Sequence, residues 1–440
     1  MTEKSSAAAG PSVDALAVDG GTPLRREPLP PWPAFGEEEL EAVATVLRSG
    51  KVNYWTGRHG RLFEEEFARF TGCRHAVAVA NGTVALELAL HALGIGPGDE
   101  VIVPARSFVA SASCCETRGA TAIFADVDPD SQNLTAETIR AVLSRKTKAI
   151  IAVHLAGWPC EMGPIMELAD RHGLYVIEDC AQAQGATYRG RPVGSLGHAA
   201  AFSFCQDKII TTGGEGGMMT TNCHAAWKRA WSYKDHGKDW DAVGRPNPDH
   251  VFQWLHATIG TNWRLTEMQS ALGRAALRKL PAWLAARRAN AALLHERRAQ
   301  LAAVRIPVPP AHVEHACYKQ YLFLRLDHLR PGWSRDRVAR AIQAEGIACG
   351  SGTCPEIYLE AAFAGREHRD GERLPNARLL GQTSLMLQVH PTLKRRDVAD
   401  VCRAVEKVIA AATTASESGQ VVPLDGRMSP VALPNLPQVA

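Results

Sequence analysis

Between residues 74 and 221 the chain keeps switching its hydrophobic period, and that alternation leaves few folds open. RHAVAVA (from Arg74), EVIVPA, TAIFADVD, TKAIIAVHL, YVIEDC, AAAFSF and MMTTN are short and mostly apolar, whereas GTVALELALHAL, SFVASASCCETR and EMGPIMELADRHG carry a helical pattern. Strands that are apolar at nearly every position are buried on both faces, and strands separated by helices pair in parallel. The pattern predicts a large α/β domain with a mostly parallel sheet covered on both faces by helices.

A second regime follows. Around Pro281 the run WLAARRANAALLHERRAQLAA spaces apolar and basic residues as a helix does, which suits a long helix joining two domains. Beyond it the strand YKQYLFLRL, a helix SRDRVARAIQAEG ending at Gly346, the strand SLMLQV and a closing helix RDVADVCRAVEKVIAAA predict a smaller α+β unit. Both ends lack periodicity, and we expect mobile tails at 1–19 and 415–440, with a large domain over 20–280 and the linking helix and small domain over 281–414.

Charge narrows the function classes. With 49 basic and 46 acidic residues the net charge is +3, too little to gather nucleic acid or a membrane surface. The amino terminus lacks a basic segment followed by an apolar core, and no run is long and apolar enough for a bilayer, so a cytoplasmic protein is expected. The eleven cysteines are scattered, as suits reduced thiols. Cys349 and Cys354, and His312 and His315, lack a second pair at zinc spacing, so no metal is expected.

Chemistry concentrates in FSFCQDKIITTGGEGG, residues 202–217, where a lone Lys208 separates an apolar strand from a run of glycines. A lysine there is a phosphate clamp or a nucleophile, because both need an amine where backbone can approach a ligand closely. Asp179, at the end of VIED, stands on the ligand face of a parallel sheet; alone it could equally cap a helix. Neighbouring strand ends would set this acid and the Lys208 amine at opposite ends of one flat ligand. Pyridoxal phosphate fits, since its aldehyde condenses with lysine and its ring nitrogen needs a carboxylate to stay protonated. Gly82 and Thr83 open a helix directly after a strand, as a phosphate site does, although Asn-Gly also begins ordinary turns. Ser203 could add a hydroxyl. Gly213, Gly214, Gly216 and Gly217 allow positive φ and close approach beside the lysine, or a plain hairpin turn. Neither the dinucleotide fingerprint nor the P-loop order of glycines occurs.

The blocks NGTVALELAL, GDEVIVP, VHLAGWPCEM, VIEDCAQAQG, FSFCQDK, TTGGEGGMMTTN and GTNWRLTEMQSALG together resemble the DegT/DnrJ/EryC1/StrS sugar aminotransferases, from about Gly20 to Ala411. The resemblance implies the fold-type I architecture of pyridoxal phosphate enzymes, with a seven-stranded sheet. It also implies that Lys208 is the Schiff-base lysine, Asp179 the pyridinium partner and Gln182 a contact of the phenolic oxygen, while Phe108 stacks on the ring. Gly82, Thr83 and Ser203 would hold the phosphate, and Asn262 would reach it from a second subunit, so a homodimer with shared active sites is implied. Outside that resemblance, Phe108 is an ordinary core phenylalanine and Asn262 with Arg264 a helix-start turn.

The implied reaction moves an amino group from glutamate or glutamine to a keto sugar in two half-reactions, with Lys208 shuttling the proton. Its freed amine must then be able to take up that proton. Relatives that dehydrate sugars instead carry histidine at this position. A nucleotide-linked sugar is the first acceptor class and a free keto-cyclitol or carbocycle the second; a regulatory relative that has lost the chemistry is the third reading. Arg58, Lys238, Trp240 and Arg245 are candidates for nucleotide contacts, and Gly237–His256 for a lid. Where many relatives carry a histidine-rich substrate motif, this chain reads GIACGSGTCPEIY.

Overall fold

The strands of the main sheet are largely walled in, as continuous apolar runs require: in Thr147–Val153 only Lys148 is exposed, and Ala199–Ser203 is buried throughout. The computed structural model describes residues 15–245, 252–297, 301–365 and 373–413, so the expected tails lie largely outside it. Seven strands form the main sheet: β1 (His75–Val79), β2 (Glu100–Pro104), β3 (Thr121–Ala125), β4 (Thr147–Val153), β5 (Tyr175–Asp179), β6 (Ala199–Ser203) and β7 (Gly217–Thr221). Their order is β1-β7-β6-β5-β4-β2-β3. Only β7 runs antiparallel to its neighbours, β1 and β6. β5 pairs with β6 in parallel, with Asp179 opposite Ala201, so the ends carrying Asp179 and Ser203 lie side by side.

Helices cover both faces. Gly82–Ala92 begins where the Asn81 side chain accepts the Val84 N–H at 3.0 Å, and it buries Leu86, Leu88 and Leu90. Met162–His172 ends on Gly173 in the left-handed region, at φ 63°. The long helix is Glu267–Arg297; it starts well before Pro281 and runs through it, burying Leu280, Leu284, Ala291 and Leu294.

The expected strands and helices beyond this helix are present as Gln320–Leu324, Arg335–Ala344, Ser384–Leu387 and Arg395–Ala412. Two two-residue strands, Val304–Arg305 and Cys349–Gly350, complete a four-stranded sheet that the sequence pattern did not reveal, because so short a run has no period. Leu322, Leu385, Leu387, Val401 and Val405 join Ala291 and Leu294 of the long helix in one apolar cluster. That shared cluster ties the small sheet to the helix.

Candidate active site

At the ends of β5 and β6 opens a cavity of about 620 Å³. It is lined by Gly82, Thr83, Phe108, Asp179, Gln182, Ser203 and Lys208, seven of the eight residues singled out from the sequence. The eighth, Asn262, is exposed outside it, on a segment bridged to Asp235.

Asp179 is 5% exposed and tied on both oxygens: the Ser111 hydroxyl donates to Oδ2 at 2.8 Å and the Ala181 N–H to Oδ1 at 3.1 Å. Strand alternation separates it from its neighbour Glu178, whose side chain lies on the other face. Glu178 accepts the Leu196 and Gly197 N–H groups on Oε1 at 2.7 and 2.8 Å, and the Gly194 N–H on Oε2 at 2.9 Å. His154 Nε2 meets Oε2 at 3.0 Å, and because His154 Nδ1 accepts the Cys160 N–H, the ring proton sits on Nε2. His154, Glu178 and Cys180 are close enough together to suggest a metal site, yet these oxygens are already engaged by N–H groups, so Glu178 serves as a latch on the 194–197 loop.

Gln182 has a fixed orientation. Its Oε1 accepts the N–H of Ala156 at 2.8 Å, which leaves its amide N–H groups as the free donors. Ala156 is itself in the left-handed region at φ 58°, an uncommon conformation for alanine. Phe108, by contrast, is 62% exposed, so it is no core phenylalanine. Gly82 lies so close to β6 that a Cβ there would come within 2.6 Å of the Ser203 Cβ.

Lys208 sits in the connection between β6 and β7. The glycines form no tight two-residue hairpin: Gly213, Gly214 and Gly216 take φ values of 86°, 121° and 159° in a long loop that also holds the lysine. The Lys208 Nζ lies 5.1 Å from the centre of the Tyr318 ring. Tyr318 hydrogen-bonds through its hydroxyl to the Asp207 carboxylate, and burial raises the phenol pKa, which keeps the donor protonated. Burial works to raise the Asp207 carboxyl too, but Lys208, the Tyr318 hydroxyl and Lys319 outweigh it, and its pKa lies below the ordinary value. Lys319, 3.9 Å from Asp207, is lowered chiefly by burial, and Arg287 and Lys208 add to the effect.

Tyr318, Lys319, Tyr321, Gly352, Thr353 and Met386 supply a cavity wall from the small sheet and its loops that sequence reasoning did not assign. The Gly352-Thr353 pair falls within GIACGSGTCPEIY, which was the available signal. Lys319 and Tyr321 also border a second cavity of about 580 Å³, lined among others by Trp158, Arg288 and His315. Of the proposed nucleotide contacts, Lys238 is bonded to Asp235 at 3.0 Å, Trp240 packs on Trp227 and Trp231, and Arg58 and Arg245 are exposed; none lines the cavity that holds Lys208 and Asp179. The expected lid, Gly237–His256, includes residues 246–251, which lie outside the described residues.

The chain is 40% identical to a GDP-perosamine synthase of Caulobacter vibrioides over 361 residues, 81% of this chain and 92% of the relative. The structure of an aminotransferase from Psychrobacter cryohalolentis superposes with a TM-score of 0.85 at 51% identity, covering 88% of this chain and all of that one. That of S. venezuelae DesV in complex with a ketimine intermediate superposes at 0.76 with 34% identity, covering 84% and 94%. Residues 33–406 match the family model, so the chain belongs to the DegT/DnrJ/EryC1/StrS aminotransferase family and is a pyridoxal-phosphate-dependent enzyme.

Proposed function

We propose that this sugar aminotransferase moves an amino group from glutamate or glutamine to a keto sugar carried on a nucleotide, in amino-sugar biosynthesis. The observation that carries the reading is the presence in one cavity of the Lys208 amine, the buried Asp179 acid and the amino-terminal turn of the helix Gly82–Ala92. Identity to a synthase named for a GDP-linked sugar supports a nucleotide on the acceptor.

The donor set suits pyridoxal phosphate. When bound, the cofactor supplies an electron sink and a temporary seat for the amino group. Asp179 would hold the proton on its ring nitrogen, and Gln182, whose Oε1 is already engaged, would donate to its phenolic oxygen. Gly82, Thr83 and Ser203 would take the phosphate at the helix N-terminus, in a cradle that a larger residue at Gly82 would fill. Phe108 would cover one ring face. Lys208 Nζ would bind the aldehyde and, once displaced by the donor, carry the proton to and from the substrate carbon.

Asn262 would complete the phosphate site of a second copy. Its position outside the cavity supports a shared, dimeric site, as do the exposed Phe252, Trp254 and Ile259 on the same segment, Trp254 being 87% exposed. Eleven free thiols suit a reducing compartment, and we place the enzyme in the cytoplasm.

The decisive experiment incubates the enzyme with glutamate or glutamine and GDP- or TDP-linked keto sugars, free keto sugars and a keto-cyclitol. The nucleotide-linked sugars are expected to be aminated fastest. Amination of the free carbocycle alone would overturn the acceptor, and sedimentation as a monomer would overturn the dimer.

A further inference from the structure

The segment before the helix Glu37–Ser49 runs from the small unit to the catalytic lysine. Its start is pinned to the small unit: Glu345 accepts the N–H groups of Ala17 and Leu24 at 2.9 and 3.0 Å, and Arg25 pairs with Asp397 and Asp400 at 2.9 and 2.8 Å. Further on, the Thr392 hydroxyl donates to the carbonyl of Pro31 at 2.9 Å. The next residue, Trp32, donates its indole N–H to the carbonyl oxygen of Lys208 at 2.9 Å. It lies one position before the span matched by the family model and is not among the residues lining the catalytic cavity.

The indole is closely held. Trp283 meets it edge-on at 5.1 Å, His390 stacks on it at 6.3 Å, and the Arg287 guanidinium lies 5.1 Å from its centre. Arg287 is 1% exposed, and its Nη1 donates to the carbonyl of Tyr318 at 3.2 Å. Its Nε and Nη2 have no hydrogen-bond partner among the described residues. A buried cation with so few partners gains from the aromatic face beside it. Tyr318 in turn holds Asp207, the residue before the lysine. Lys208 is thus gripped on two sides, by Trp32 at its carbonyl and by Tyr318 through Asp207, with Arg287 touching both.

The loop is anchored just past the lysine, where Ile209 and Ile210 are fully buried, so what Trp32 adds is a hold on the lysine's own peptide. The Lys208 N–H donates to the Cys205 carbonyl at 3.1 Å, and the Lys208 carbonyl takes the indole N–H. A reacting amine misplaced by about 1 Å can lose about a hundredfold in rate, so the backbone from which it projects must be fixed.

We propose that Trp32 is a positioning residue for Lys208: its indole N–H, held by the small unit and Arg287, fixes the peptide that carries the reactive amine. The inference rests on the assignment of Lys208 as the amine that captures the cofactor aldehyde, and the experiment separates the two. Full-length protein freed of cofactor is titrated calorimetrically with two ligands. Pyridoxal 5′-phosphate condenses with the amine and releases water, whereas pyridoxine 5′-phosphate carries an alcohol at that carbon and cannot.

Wild-type protein is expected to favour the aldehyde strongly, and Lys208→Ala to lose the preference; if Lys208→Ala keeps it, the lysine assignment falls. Trp32→Phe retains the ring but not the donor. It is expected to weaken aldehyde binding about five- to tenfold, the value of one hydrogen bond, and to leave alcohol binding unchanged. Thr392→Val, which loosens the strap from a distance, is expected to act in the same sense by about twofold. Equal weakening of both ligands in Trp32→Phe would make the tryptophan a packing residue only, and an unchanged aldehyde preference in both variants would overturn the proposal.

Discussion

The two ends of the candidate catalytic cavity are built in opposite ways. The acid end is local to the main sheet: Asp179 is held by Ser111 and Ala181, close to the strands that position it, and both of its oxygens are engaged. The amine end is assembled from afar, because Lys208 sits in a glycine-bearing loop braced by Trp32, Tyr318, Lys319 and Arg287, which come from three other parts of the chain. A parallel sheet can set a carboxylate by register alone, whereas a loop lysine needs outside support. The acid end should therefore respond to single local changes and the amine end to distant ones.

The largest effect breaks the amine end outright. Lys208→Ala should lower amine transfer at least about a thousandfold while leaving the fold intact, checked by coupled assay and thermal melting. Retained turnover would remove the lysine from the scheme. Asp179→Asn preserves the shape of the acid end and removes its charge; a loss of about a hundred- to a thousandfold in kcat is expected, with little change in melting temperature. If the loss is below about fivefold, the carboxylate is structural.

Ser111→Ala tests whether the acid end depends on its near neighbours. Losing a hydrogen bond to a charged group is expected to lower kcat/KM about ten- to a hundredfold. An unchanged value would show that the sheet holds Asp179 unaided. The smallest effect belongs to Tyr318→Phe, which keeps the ring near the lysine and deletes the hydroxyl on Asp207; about fivefold in kcat is expected. It also has a pH signature. The Asp207 pKa is lower in the folded protein than in the unfolded chain, so its stabilising contribution is present above the unfolded value and lost as pH falls through the folded one. Without the hydroxyl the folded pKa rises, that contribution shrinks, and urea midpoints at neutral pH and below pH 4 should differ less than in the wild type. Because Asp207 is half-exposed, the change will be small.

The same contrast explains what could be read from the sequence. Runs such as VIED and AAAFSF announce buried strands through continuous apolarity, and with them the places where Asp179 and Ser203 emerge. Seven of eight site residues came together because motif and strand end coincide there. The small-sheet wall was illegible: YKQYLFLRL reads as a strand, but nothing in it says that Tyr318 and Lys319 face a lysine more than a hundred residues earlier. Trp32 was missed for the same reason, since PPWPAF reads as a proline-rich lead-in. Nor does an apolar-and-basic helical pattern show that Arg287 lies buried against an indole rather than in water.

The strap at Trp32 also ties early sequence to late. Trp32 precedes the side chains that hold it, since Arg287, His390 and Thr392 follow hundreds of residues later. The residues that hold Asp179 all precede β7, whereas the outer brace on the lysine's peptide is held by side chains from the far part of the sequence. The amine half of the pocket therefore draws on a much longer span of chain than the acid half.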